Sequence, residues 1–268
     1  MIEDIVSLPL PADEMYRIRK NSISNGKGKR ICIVTGIHGD ELEGQYVCFL
    51  VAQKLKNEMQ KFSGTVDIYP AMNPLGIDSI TRGIPNFDID MNRTFPGSDN
   101  GDMVEFAATR IIDEMMGADL VIDIHASNIY LTEVPQIRIN ELHKENLLPL
   151  AQKSNIDFIW VHGASTVLES TLSYALNSRG VPCLVVEMGV GMRLTKEYGE
   201  QLCDGIFNLM HEFEMWSGEV KPVKTPIISD KSDEVEFLNA PTSGMFMKTK
   251  NHGSWVKKAK QSATFLTR

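Results

Sequence analysis

Short apolar runs alternate with amphipathic segments along most of this chain, and this alternation constrains the fold more than any other feature of the sequence. Runs typical of buried strands occupy residues 30–36, 64–73, 118–127, 156–162 and 181–189. Segments with the apolar spacing of helices occupy residues 45–62, 103–117, 141–154, 169–180 and 195–216. Strands that alternate with helices predict an α/β fold, with a mixed, mainly parallel central sheet covered by helices on both faces.

The C-terminal part of the chain differs in composition from the rest. With 268 residues, the chain can form one large α/β domain and a small appendage. After Gly218, a stretch rich in proline, lysine and acidic residues is typical of a linker, and short β-like pieces around glycines follow it. We therefore expect a main domain over residues 1–218, then a linker and a truncated β-rich segment over residues 219–268. The strand edges of so short a segment would pair with the main domain or with a second subunit of a homo-oligomer.

The overall charge and the cysteines exclude several classes of protein. A formal net charge of −8 argues against binding to nucleic acid or to anionic membranes, since both attract basic patches. No apolar run is long enough to cross a bilayer, and the acidic N-terminus lacks the basic start of a secretory signal. The four cysteines lie far apart and form no CxxC pair, so we expect buried free thiols in a reducing cytoplasm.

Imidazole and carboxylate side chains follow the predicted strands, at the edge where sheets of this kind bind ligands. His38 and Glu41 come after the first strand, three residues apart on one turn, so both side chains can face the same point. His125 ends the third strand and could supply a third ligand. Two imidazoles and one carboxylate bind Zn²⁺ and leave a fourth position for water. The spacing alone is common by chance, so polar residues without a metal remain an alternative.

Further candidates end other strands at the same edge. Glu187 closes a buried apolar strand, where an ionised carboxylate needs a partner, which a helix N-terminus could provide without any catalysis. Asp123 lies two residues before His125 and could support that histidine or serve the structure alone. His162 ends another strand and could line a pocket. The glycines near His38 form neither a P-loop nor a dinucleotide-binding motif, and the histidine spacing is neither HExxH nor HxxEH.

The long polar loop after the second predicted strand carries two arginines and an asparagine. We expect Arg82, Asn92 and Arg93 to lie near the same edge of the sheet. Arginine gives planar, bidentate recognition of a carboxylate, which lysine cannot match. Ordinary solvation in the loop, or an ion pair with Asp88 or Asp90, remains the alternative for either arginine.

Five short motifs occur in a fixed order: GIHGDELEG, NPLG, TRGIPNFDIDMNRTFPG, DIHAS and VEMG. As an ordered set, spread from about Arg30 to Trp216, they resemble the succinylglutamate desuccinylase/aspartoacylase family, a branch of the zinc carboxypeptidases. The resemblance implies a zinc carboxypeptidase-like fold. It also implies a C-terminal β domain over the site. Residues 240–258 resemble the opening of that domain, but the chain ends before the further strands expected in the family.

The same resemblance implies roles for the residues at the sheet edge. It implies one zinc ion per chain, bound by His38, Glu41 and His125. It implies that Glu187 is the general base that takes a proton from the zinc-bound water. It further implies that Arg82 stabilises the developing oxyanion.

The activity implied is that of a zinc-dependent amidohydrolase, or deacylase. Asn92 and Arg93 would bind a carboxylate of a small anionic substrate. The bond cleaved would be an amide, or an ester, in a compound such as an N-acyl amino acid. Two alternatives remain open: a carboxypeptidase that acts on short peptides with the same catalytic residues, and a non-catalytic metal-binding protein.

Overall fold

A nine-stranded sheet forms the centre of the computed structural model, which describes residues 1–85, 87–163, 169–230, 236, 239–256 and 263–266. Its strands are β1 (Ile2–Pro9), β2 (Met15–Asn25), β3 (Arg30–Thr35), β4 (Gly64–Tyr69), β5 (Leu120–His125), β6 (Glu133–Asn140), β7 (Phe158–His162), β8 (Cys183–Gly189) and β9 (Ile227–Ser229). They lie side by side in the order β1-β2-β4-β3-β5-β8-β6-β7-β9. The five strands predicted from apolar runs are β3, β4, β5, β7 and β8, so these predictions are confirmed.

The sheet is mixed and mostly parallel, which confirms the predicted fold class. Parallel ladders join β3 to β4 and β5, β5 to β8, and β7 to β6 and β9. Antiparallel ladders join β1 to β2, β2 to β4 and β6 to β8. The apolar runs do not predict β1, β2, β6 and β9, because these strands have polar residues on one face or are very short.

Helices cover both faces of the sheet. In the described part of the chain they are α1 (Glu43–Asn57), α2 (Pro74–Ser79), α3 (Met103–Met115), α4 (Lys144–Gln152), α5 (Leu172–Asn177) and α6 (Lys196–Glu212). The long polar loop predicted after the second strand contains α2, and the helix predicted over residues 45–62 ends earlier, before a short 3-10 turn at Met59–Lys61. Among the helices described, none is long and apolar enough to pass through a bilayer.

Two apolar cores lie on opposite sides of the sheet. Helices α1, α4 and α6 enclose one core, and α3, α5 and the β1–β2 hairpin enclose the other. Helix α3 begins at a capping box, in which the side chains of Asp102 and Glu105 each accept a hydrogen bond from the backbone of the other residue. All four cysteines are buried and unpaired, as predicted.

The chain after α6 returns to the sheet and then forms a second, two-stranded sheet. Strand β9 pairs with β7 at the edge of the nine-stranded sheet, although it lies beyond residue 218. Strand β10 (Met245–Lys248) then pairs with β11 (Ala263–Leu266) as a separate antiparallel ribbon. Other parts of the predicted C-terminal segment, at 231–235, 237–238, 257–262 and 267–268, lie outside the described residues. The division into two domains at residue 218 stays a prediction.

The order of strands places the candidate residues at one edge. Strands β3, β5 and β8 are parallel neighbours, so their carboxyl ends meet there. In this register His125 lies directly beside Glu187. The loop that follows β3 carries His38 over the same edge and continues into α1.

Candidate active site

The loop between β3 and α1 turns tightly and lies directly against α2. The backbone N–H of Glu41 donates to the carbonyl of His38 at 3.3 Å, which brings the two side chains to the same side of the turn. A Cβ atom on Gly39 would lie 2.0 Å from the carbonyl carbon of Gly76, so only glycine allows this approach of the two backbones. The local fold thus aims His38 and Glu41 at one point, above the end of β5.

The structure brings together His38, Glu41 and His125, the three residues proposed to bind a metal. Nδ1 of His38 is 2.7 Å from Oε1 of Glu41, and Nδ1 of His125 is 3.1 Å from Oε2 of the same carboxylate. The two Nδ1 atoms are 3.3 Å apart, and one ligand atom from each residue lies within 4.8 Å of the others. All three side chains are buried. A single cation could contact all three donors.

A carboxylate lies behind each histidine, as a hydrogen-bond partner of His38 and as a close charged contact of His125. Nε2 of His38 is 3.0 Å from Oδ1 of Asp90, and Nε2 of His125 is 3.1 Å from Oδ2 of Asp123. Each imidazole therefore keeps its Nδ1 directed at the other donors. Two imidazoles and a carboxylate, with a carboxylate behind each imidazole, are the donor set of a catalytic zinc, so the residues present fit this metal. The sequence predicts that Asp123 could support His125 in this way, whereas it suggests Asp90 only as an ion-pair partner for an arginine.

The buried carboxylates of this cluster favour a positive charge beside them. Burial alone would raise the pKa of Glu41, but hydrogen bonds with His125 and His38 outweigh it and hold this pKa well below its ordinary value. Burial works to lower the pKa of His125, yet the neighbouring Asp123 and Glu41 raise it well above its ordinary value. The carboxylates thus draw protons onto the imidazoles. A divalent cation would replace those protons, because imidazole binds metals in its neutral form.

Arg82 lies at the rim of this cluster and pairs with two of its carboxylates. Its Nη1 is 3.1 Å from Oε1 of Glu41, and its Nη2 is 3.3 Å from Oδ2 of Asp90. The ion pair with Asp90 is the alternative that the sequence left open, and the structure contains it. The guanidinium is also half-exposed and adjacent to a candidate metal ligand. A guanidinium has five N–H donors, so the hydrogen bonds to these two carboxylates leave others unused.

Asn92 and Arg93 occupy a short 3-10 turn, which directly follows Asp90. Oδ1 of Asn92 accepts a hydrogen bond from the backbone N–H of Leu172 at 2.9 Å, so its Nδ2 is the atom suited to donate to a carboxylate. Nη1 of Arg93 donates to the carbonyl of Asn92 at 2.7 Å, and its side chain is exposed. Both residues line the same cavity as His38.

Glu187 has a charged partner. The sequence indicates that this carboxylate needs a partner but does not identify it. Oε1 of Glu187 is 3.2 Å from Nη1 of Arg138, so a side chain of β6 rather than a helix N-terminus meets this carboxylate. Burial raises the pKa of Glu187 to about 7, although Arg138 and His125 pull it down, while Glu41 and Glu133 add to the rise. A carboxylate with this pKa can both accept and return a proton near neutral pH.

A cavity of about 170 Å³ lies between these residues and α5. Its wall includes Asn140, Tyr174 and Asn177, and His162 lines it too, as the sequence suggested it could. The sequence analysis does not identify Arg138 and Asn140 as part of this wall, because it does not recognise β6 as a strand. The signal was present in the segment QIRIN, in which polar residues at 136, 138 and 140 alternate with buried isoleucines at 137 and 139.

Comparison with known proteins identifies the family of this chain. The family described as the succinylglutamate desuccinylase/aspartoacylase catalytic domain matches residues 27–213. A curated relative, the N-alpha-acetyl-L-2,4-diaminobutyric acid deacetylase of Halomonas elongata, is 24% identical over 262 residues, covering 92% of this chain and 72% of the relative.

Solved structures share the fold over nearly the whole chain. A succinylglutamate desuccinylase from a Silicibacter species has a TM-score of 0.83 at 22% identity, covering 99% of this chain and 83% of that one. The product-bound ectoine utilization protein EutE (DoeB) from Ruegeria pomeroyi also has a TM-score of 0.83 at 22% identity, covering 100% and 84%. A metallo-carboxypeptidase from Burkholderia cenocepacia has a TM-score of 0.61 at 14% identity, covering 78% and 63%. The resemblance first noted in five short motifs is thereby confirmed, and this chain belongs to the succinylglutamate desuccinylase/aspartoacylase family.

Proposed function

We propose that this protein is a zinc-dependent hydrolase that cleaves an amide bond, or an ester bond, in a small carboxylate-bearing substrate such as an N-acyl amino acid. One observation carries the proposal. The partly buried carboxylate of Glu187 lies beside the cluster of His38, Glu41 and His125, at the wall of a cavity that Arg82 also lines. A base, a candidate metal site and a cationic group thus surround one space, which is the combination that metal-assisted hydrolysis of an acyl group uses.

Each residue has a task in this reaction. His38, Glu41 and His125 would hold one zinc ion per chain, which when bound supplies a Lewis acid and a water that ionises near neutral pH. Glu187 accepts a proton from the attacking water and returns it to the leaving nitrogen, so that the amine departs neutral. Arg82 donates hydrogen bonds to the oxyanion that develops on the attacked carbonyl.

Asn92 and Arg93, which line the same cavity, are the residues proposed to bind the substrate. Arg93 can grip a carboxylate with its planar guanidinium, and Nδ2 of Asn92 can donate to the same group. The cavity of about 170 Å³ is smaller than the roughly 300–1,000 Å³ typical of sites for drug-sized ligands. This size favours an N-acyl amino acid over a peptide, and so favours a deacylase over a carboxypeptidase. Relatives named as a deacetylase of an N-acetylated amino acid and as a desuccinylase support the same class.

The proposal also covers the domain that carries the catalytic residues and the cellular compartment of the protein. We place the catalytic residues in the domain over residues 1–218, because each of them precedes that boundary. A cytoplasmic location is part of the same proposal, supported by four unpaired buried thiols, which suit a reducing compartment.

The decisive test is a turnover screen of the zinc-loaded protein against N-acyl amino acids and, in parallel, short peptides. We expect release of the free amino acid from one class of N-acyl compound, and about one zinc per chain by metal analysis. Glu187→Gln should lower kcat by about 100- to 10,000-fold and leave the zinc content unchanged. Glu145→Gln, on an exposed position of α4, is the matched control and should not change turnover. Peptide cleavage alone would favour the carboxypeptidase, and zinc binding without turnover would favour the non-catalytic protein.

A further inference from the structure

Arg138 is the charged residue of the cavity to which the proposed mechanism gives no task. It lies on β6, and its Nη1 is 3.2 Å from Oε1 of Glu187 on the neighbouring strand β8. The guanidinium carbon is 5.7 Å from the ring centre of Trp160, which packs against it from β7. The side chain is 31% exposed and lines the cavity. Arg138 thus touches the proposed base from within the cavity.

A β-bulge brings a second carboxylate to the other side of this guanidinium. The register of β6 against β8 shifts between Glu133 and Gln136. In a regular strand, residues 133 and 138 would point to opposite faces, because they are an odd number of positions apart. The bulge instead brings Oε1 of Glu133 to 2.6 Å from Nη2 of Arg138, and Nε2 of Gln136 donates to the same oxygen at 2.8 Å. Bulges often re-aim a side chain in this way beside an active site.

Oε1 of Glu187 forms an ion pair with this guanidinium, and no hydrogen bond to Oε2 is found among the described residues. The terminal torsion of a glutamate is broad, so a carboxylate without a partner would rotate among many orientations. Arg138 cannot exchange protons itself, because a guanidinium stays protonated in proteins. Its Nε is buried and has no hydrogen-bond partner among the described residues. A buried donor without a partner costs free energy, which argues against a role in packing alone. The position of the guanidinium is therefore set by its two carboxylate partners.

We propose that Arg138, held by Glu133, is a positioning residue that fixes the carboxylate of Glu187 for proton transfer. The inference rests on the proposed function, because it takes Glu187 as the general base. With Oε1 held by Arg138, Oε2 accepts the proton of the attacking water and passes it to the leaving nitrogen. Without Arg138, the carboxylate is misplaced in the chemical step, while substrate and metal bind as before.

Two other roles for Arg138 make different predictions. If Arg138 bound the substrate directly, its loss would raise KM and weaken substrate binding whether or not Glu187 is present. If it only braced β6 against β8, its loss would lower the melting temperature and leave kcat of the folded protein unchanged. A double-mutant cycle with Glu187 separates these roles, because residues that act through one another have non-additive effects.

The experiment compares Arg138→Met, Glu187→Gln and the double variant, each loaded with zinc and assayed with the best N-acyl amino acid. We expect Arg138→Met to lower kcat by about 10- to 100-fold with KM changed less than about threefold. In the Glu187→Gln background the same change should lower kcat by less than about twofold. Zinc content by metal analysis, and the Kd of the substrate for the Glu187→Gln protein by calorimetry, should not change when Arg138 is replaced. Arg17→Met, on the remote strand β2, is the matched control and should behave as the unmodified protein.

Two milder variants keep the inference testable if Arg138→Met does not fold. Glu133→Gln keeps the size of the side chain next to Arg138 but removes its negative charge. Arg138→Lys keeps the positive charge, but a single ammonium group cannot pair with both Glu133 and Glu187 as the planar guanidinium does. Both should lower kcat by a smaller factor than Arg138→Met, again only when Glu187 is present. Equal losses in both Glu187 backgrounds, a weakened substrate Kd, or an unchanged kcat in the folded variants would each overturn the inference while the proposed function stands. Unchanged turnover in Glu187→Gln itself would overturn both.

Discussion

The proposed metal site should depend on Gly39, a residue that contributes no side chain to it. Replacing Gly39 by alanine would place a Cβ atom 2.0 Å from the carbonyl carbon of Gly76, 2.3 Å from its oxygen and 2.4 Å from the nitrogen of Ile77. All three atoms belong to the backbone of α2, whose first turn is capped by Asn73 through a hydrogen bond of 2.8 Å to the N–H of Gly76. Backbone atoms held in this way yield less readily than a side chain. The loop that carries Gly39 is therefore the part expected to move.

The size of that movement can be worked out from the contact. Cβ atoms essentially never approach closer than 3.0 Å, so a contact of 2.0 Å must open by about 1 Å. His38 is the residue before Gly39 and Glu41 lies two residues after it, so both are carried with the loop. Zinc–ligand distances tolerate only about 0.2 Å. Loss of a group that supports a metal ligand typically lowers metal affinity by roughly 10- to 100-fold. We expect the displacement of two ligands to lower zinc affinity by at least this factor.

The assay is a chelator competition for zinc, followed by metal analysis and thermal unfolding. Overpacking should cost about 1–3 kcal/mol, less than the roughly 5–15 kcal/mol that stabilises a typical domain, so Gly39→Ala should still fold. Gly117→Ala is the matched control: its φ of +77° makes alanine unfavourable, but its Cβ would meet nothing within 4 Å. That variant should lose stability and keep its zinc affinity. A Gly39→Ala protein that binds zinc as tightly as the unmodified chain would refute the reasoning, because His38 and Glu41 would then have kept their positions although the loop had moved.

Two further predictions concern buried carboxylates. Asp123→Asn keeps the size of the side chain but removes the charge 3.1 Å from Nε2 of His125, so zinc affinity should fall by about 10- to 100-fold in the same chelator competition. Asp113→Asn, on an exposed position of α3, should leave that affinity unchanged, and equal affinities in the two variants would contradict the role given to Asp123. Burial raises the pKa of Glu43 above its ordinary value of 4.5, although hydrogen bonds from Thr195 oppose the rise. A carboxyl whose pKa is higher in the folded state stabilises the fold below pH 4.5 and loses that contribution as the pH rises through the folded pKa. As the pH rises from 4.5 to 7.5, the free energy of unfolding of Glu43→Gln in urea should therefore increase relative to that of the unmodified protein. A constant difference between the two proteins over this pH range would disprove this.

The sequence by itself determined the central strands, the main helices and the residues at the strand ends. Apolar periodicity is a local property, so β3, β4, β5, β7 and β8 can be found without knowing what packs against them. Parallel neighbours end at the same edge of a sheet, so His38, Glu41, His125 and Glu187 could be expected near one another before any contact was known. The family resemblance, carried by short motifs in order, added the roles proposed for them.

The tertiary structure alone decided which partners those residues have. That β6 runs antiparallel beside β8 depends on the order of strands across the whole sheet, and the contact between Arg138 and Glu187 follows from that order. The bulge that turns Glu133 towards Arg138 is equally invisible in a local pattern, because it is defined by two strands at once. Which nitrogen of each histidine faces the metal site was likewise set by Asp90 and Asp123. Local sequence sets the elements, but contacts between residues far apart in the chain exist only once the strands have paired.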